Sequence, residues 1–148
     1  MLPVSNRTFI RVCNYLGVVP MAILALLMWL VNNQAAHGFV AMALTTLAGL
    51  LIAFTGGVHW GIALRLGDRA PQFHLIWGAI TAFGGWFGML MMPGAGMPFL
   101  AIMFVASYIA DHRSWPKVGL EEWLSLRFRT TVIAVVSCLI GAAGIMSL

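Results

Sequence analysis

Two polar side chains, His59 and Asp111, stand inside long apolar runs and carry groups that could do chemistry together. An imidazole beside a carboxylate can hold, orient or pass a proton, because histidine changes charge near neutral pH. His59 lies six residues before Arg65, about 9 Å of helix at about 1.5 Å per residue. If the helix carrying Asp111 begins near Pro98, a favoured first-turn residue, Asp111 follows 13 residues later. That is about 20 Å of rise, some 10 Å short of the far edge of a hydrocarbon core about 30 Å thick. The matched depths predict a polar cluster of Asp111 with His59, with Tyr108 and Ser107 added from the preceding turn and Trp60 as an aromatic wall. Other readings remain open. Asp111 can end its helix paired with Arg127 or Arg129 while Arg113 and Lys117 snorkel. His59 can make a structural hydrogen bond to a neighbouring helix, and Trp60 can be an interface anchor.

Other chemistries have less support. His59, His74 and His112 fall near one side, and paired histidines on different helices can bind haem iron. Yet the chain has no His-x-x-x-His, Cys-x-x-Cys or Glu-x-x-His, so no metal ligand set is assigned. Nor is there a Ser-His-Asp order, a P-loop or a nucleotide fingerprint, so no catalytic residue is assigned and the chain reads as non-enzymatic. Haem or quinone stays as a lipophilic-ligand alternative. Cys13 and Cys138 lie at different depths and are expected to be free thiols.

The elements that must position these residues follow from composition. Of 148 residues, 61% are hydrophobic and 8% charged, against about 25% charged in a soluble domain. Mean hydropathy is +0.96, and the chain is expected to be an all-α polytopic membrane protein in one domain. Charge-free gaps, broken at Asn32–Gly38 and at Pro93–Pro98, predict five transmembrane helices at about 12–31, 39–64, 72–92, 97–112 and 127–147. All eight Lys and Arg residues fall on one side of this arrangement. The positive-inside rule then gives an N-inside, C-outside protein of the bacterial inner membrane, or of the mitochondrial inner membrane if eukaryotic. The net charge of +4 is thus a topology signal, and no nucleic-acid partner is expected. A cleaved signal peptide is not expected, since the first apolar run is too long and lacks an Ala-x-Ala site. Pro20 should kink the first helix near Leu16. Residues 119–126 read as a short interfacial helix with Leu120, Trp123 and Leu124 on one face.

Helix 2 carries Gly49, Ala53, Gly57 and Gly61 at four-residue spacing, and helix 3 carries Gly84 and Gly88. Small side chains let another backbone approach closely, within the bundle or in a second subunit. The run Phe54-Thr-Gly-Gly-Val-His-Trp-Gly61 resembles a family of small bacterial and mitochondrial membrane proteins classed as a domain of unknown function, whose members carry Phe-x-Gly-Gly-x-His-Trp-Gly. Asp111 near the end of a later helix and Leu126-Arg127 with Thr130 or Thr131 opening the last one extend the resemblance over most of the chain. Thr55 stands where the family pattern has Leu. The resemblance implies interest in His59, Trp60, Asp111 and Arg127, and no reaction. Three functions are ranked. The first is an accessory, assembly or packing subunit acting through its glycine faces in a homo-oligomer or larger membrane complex. The second is a lipophilic-ligand or proton-relay protein centred on His59 and Asp111. An oligomeric transporter or channel comes last.

Overall fold

A computed structural model describes residues 5–147. Five helices account for almost all of them: α1 (Asn6–Leu30), α2 (Gln34–Leu66), α3 (Gln72–Leu90), α4 (Pro93–Ser114) and α5 (Leu124–Met146). Each is long and apolar enough to cross a membrane. The ends follow local chemistry. Ser5 caps α1 by accepting from the Thr8 amide at 3.3 Å, and Asn33 caps α2 by accepting from the Ala36 amide at 3.0 Å. Gly67 ends α2 at φ +59°, a left-handed conformation that favours glycine, and turns the chain through residues 67–71 into α3.

Three boundaries correct the sequence-based expectations. The connection between α1 and α2 is only residues 31–33, because Asn33 caps a helix that already contains His37 and Gly38. At the other end, Arg7 and Arg11 belong to the first turns of α1 rather than preceding it. Helix α4 starts at Pro93, not near Pro98, so the Pro-Gly segment is helical from its first proline. Proline needs no donor in the first turn, and the helix runs on through Pro98. Asp111 therefore lies one turn from the end of a 22-residue helix, and the expected shortfall of α4 does not exist. Nor does residues 119–126 form a separate interfacial helix. The linker is two 3-10 turns, Trp115–Val118 and Glu121–Trp123, broken by Gly119 at φ +79°, and Leu124 onwards is already α5. Pro20 lies within α1 without interrupting it.

Helix α2 is the centre of the bundle and packs against all four others. Leu44, Ala48 and Ile52 are fully buried, with Met21 and Met28 of α1, Met97 and Leu100 of α4, and Ala134 and Cys138 of α5 around them. Most remaining large apolar side chains, including Phe54, Leu64, Phe83 and Met92, point outward. Such a surface suits hydrocarbon rather than water. Connectivity brings the start of α1, the α2–α3 turn, the α4–α5 linker and the start of α5 to one end, here called the basic end because every described Lys and Arg is carried there.

Helix α3 is held by close backbone approach. A Cβ on Gly85 would collide with the carbonyl of Gly49, and one on Gly56 would meet Thr81 and the Gly78 carbonyl. Gly84 and Gly88 take Met103 and Leu100 of α4. The stripe expected on α2 is only partly used inward, since Ala53 is half-buried while Gly57 and Gly61 face open space. The reason is geometric. Four-residue steps overshoot a 3.6-residue turn by about 40° each, so Gly61 lies about 120° round from Gly49. The buried face instead follows alternating three- and four-residue steps through Gly49, Ile52, Gly56, His59 and Ala63.

A buried His-His-Asp-Arg chain at the basic end

Four helices contribute to one polar cluster. His59 of α2 is 1% exposed and Asp111 of α4 is 1% exposed, and they meet with His59 Nε2 at 2.7 Å from Asp111 Oδ1. Arg127, in the first turn of α5, donates through Nε to Asp111 Oδ2 at 2.8 Å. On the far side of His59, its Nδ1 lies 2.9 Å from Nδ1 of His74 on α3, with the two rings stacked at 5.2 Å. The result is one unbroken chain, His74–His59–Asp111–Arg127. Asp111 pairs with both His59 and Arg127; Arg129 is exposed and forms no such bond.

Local sequence explains the placement. His59 lies eight residues before Gly67 and His74 seven after it, so a tight hairpin at Gly67 levels the two rings. Asp111 and Arg127 flank the linker, and its two short turns keep the end of α4 beside the start of α5. Trp115 from that linker lies under the guanidinium, 5.9 Å from its centre, a cation–π contact.

The electrostatics are self-contained. A carboxylate this buried is costly alone, but Asp111 and Arg127 cancel in charge and each oxygen accepts a hydrogen bond. Since the carboxylate can only accept, His59 Nε2 carries a proton and donates it. Between the facing Nδ1 atoms one proton must be shared. With His59 neutral, His74 donates to it. With His59 protonated, His59 donates both ways and His74 carries its proton on Nε2. Some polar atoms close by have no partner among the described residues: Ser107 Oγ, Trp115 Nε1, Arg127 Nη2 and Thr131 Oγ1.

Sequence-predicted residues divide accordingly. His59, Asp111 and Arg127 come together. Tyr108 does not join them; it packs on His112 and Phe128. Trp60 points away and donates to the Leu75 carbonyl at 3.0 Å, tying α2 to α3 over Gly78. His74 joins the cluster through His59, and the sequence signal for it is its near-equal distance from the Gly67 turn. Haem iron does not fit His59 as placed, because both ring nitrogens are engaged, and no three His, Cys, Asp or Glu side chains among the described residues are placed to share one metal ion. A cavity of about 300 Å³ between α1, α2, α4 and α5, bordered by Phe54, Phe104, Arg127 and Thr131, is at the small end of lipophilic-ligand sites. Both cysteines are free, Cys13 exposed and Cys138 buried.

The fold and this cluster define a class: a bundle of five membrane-type helices whose buried polar residues converge at one end. More particularly, the chain belongs to the family described as protein of unknown function DUF3429, whose model matches residues 7–143. No curated protein and no solved structure shows significant similarity to it.

Proposed function

We propose that this chain is a membrane proton relay, taking up a proton at His74 and holding it on His59 against Asp111. The observation that carries this reading is the continuous hydrogen-bonded path from His74 Nδ1 through His59 to Oδ1 of Asp111, whose Oδ2 accepts from Arg127. A proton arriving at His74 Nε2 lets the His74 Nδ1 proton pass to His59 Nδ1. His59 becomes an imidazolium, and His74 is left neutral in its other tautomer. The new cation faces Asp111 Oδ1, whose other oxygen is bonded to Arg127. In the proposed orientation the basic end faces the cytoplasm or matrix, from the position of the Lys and Arg residues, and the host is the bacterial or mitochondrial inner membrane.

The test is nitrogen-15 NMR of the histidine rings in purified protein reconstituted in nanodiscs. His74→Gln should slow exchange of the His59 ring proton with solvent about tenfold or more, a modest share of what a positioned acid–base group contributes. Unchanged exchange in that variant would remove the relay.

A second reading, an accessory or packing subunit, has one observation in its favour. Gly57 and Gly61 leave an open small-residue stripe on the outside of α2 that suits another helix. Native mass spectrometry from mild detergent should then find a defined oligomer or a stoichiometric partner, lost in Gly57→Leu/Gly61→Leu. A monodisperse monomer in the unaltered protein counts against it.

A further inference from the structure

We infer that the groove between α3 and α4 at the basic end seats one anionic phospholipid. The groove has a volume of about 680 Å³. Its mouth carries Arg69 from the α2–α3 turn, Arg113 from the last turn of α4 and Lys117 from the linker, while Phe73, Trp77 and Ile109 form its apolar walls. Three cations thus meet at the head of a slot lined by side chains that suit acyl chains. Charges taken up elsewhere sharpen the contrast. Arg7 is paired with Glu122 and Arg127 with Asp111; the other six Lys and Arg have no carboxylate partner among the described residues, and of these Arg69, Arg113 and Lys117 line the groove. Asp68, the neighbour of Arg69, is exposed and forms no ion pair.

Basic recesses between membrane helices on the cytoplasmic or matrix side suit anionic head groups, whose phosphate takes hydrogen bonds from Arg and Lys while the tails stay in hydrocarbon. Arg and Lys act together here, Arg as a fork and Lys as a mobile point charge. A phosphate at this mouth complements all three cations, and a zwitterionic lipid brings its own cation to the same place. His74 also lines the groove, so a seated lipid lies beside the proposed proton entry; lipid retention is nevertheless read without reference to proton transfer, and its failure leaves the relay reading to its own test.

Native mass spectrometry of the full chain, with added phosphatidylglycerol or phosphatidylcholine, decides the matter. One phosphatidylglycerol should be retained in preference to phosphatidylcholine. Arg113→Gln/Lys117→Gln should weaken retention about thirtyfold, as expected for two charges near an anionic head group. Arg11→Gln/Arg129→Gln removes the same charge from exposed positions that do not line the groove and should leave retention within about twofold, since its charges act only from a distance. Arg113→Lys, which keeps the charge, should restore most binding in a background of native Lys117. Equal loss in the two double variants would overturn the inference in favour of diffuse attraction. Displacement of the lipid by millimolar inorganic phosphate would overturn it in favour of a soluble anion.

Discussion

At the scale of single residues, Asp111 is the keystone of the basic end because two cationic or proton-donating groups depend on it. Asp111→Asn removes the charge that balances Arg127, which is 9% exposed and has Nη2 without a partner. Breaking one partner of a buried ion pair costs about 3–5 kcal/mol. The unfolding midpoint in detergent titration should fall accordingly, and a midpoint within experimental scatter of the unaltered protein would mean that Arg127 finds water instead. Arg127→Lys keeps the charge but loses the fixed guanidinium geometry that serves both Asp111 and the Trp115 ring, so its loss should be smaller than that of Asp111→Asn. Sequence made Asp111 and His59 legible as polar groups in apolar runs. The matched depth that suggested their pairing used a helix start five residues too late, at Pro98 instead of Pro93, so the pairing stands on contact geometry and not on depth. His74 was harder to find, because a histidine two residues into a predicted helix has the same local pattern as an interfacial one.

At the scale of elements, the α2–α3 hairpin is the piece that levels the two histidines, and its glycines are not equivalent. Gly85→Ala would push a methyl group into the Gly49 backbone, which cannot swing aside as a side chain would. Separating the helices should cost about 1–3 kcal/mol, as overpacking does. Gly57→Ala meets nothing within 4 Å and removes backbone freedom from a helix interior, so it should be neutral or stabilising by up to about 1 kcal/mol. Comparing the two variants by detergent-induced unfolding separates internal packing from helix propensity. If they behave alike, the two backbones are not in the contact described. The same contrast should appear at the site, where Gly85→Ala loosens the His59–His74 bond and Gly57→Ala leaves it intact.

At the scale of the whole molecule, the chain is a bundle with an apolar exterior and a polar basic end. The proposed orientation predicts that Asn32→Cys, in the connection between α1 and α2, is labelled by a membrane-impermeant maleimide from outside right-side-out vesicles. Cys13, exposed near the start of α1, should be labelled only after the vesicles are opened. The reverse pattern would invert the orientation and place the α3–α4 groove in the outer leaflet.

The number of helices was determined by sequence alone. Apolar runs separated by charges and turn residues leave the backbone no other way to satisfy its hydrogen bonds in lipid. Tertiary structure decided which faces of those helices meet. Gly56 rather than Gly57 turns inward because the rotation between adjacent helical residues is about 100°, and the loops set which rotation packs. Likewise, Trp60 staples α3 while His59, one residue before it, faces Asp111. Residue type names what a side chain can do, and only the packing of four helices around one polar cluster determines with which partner.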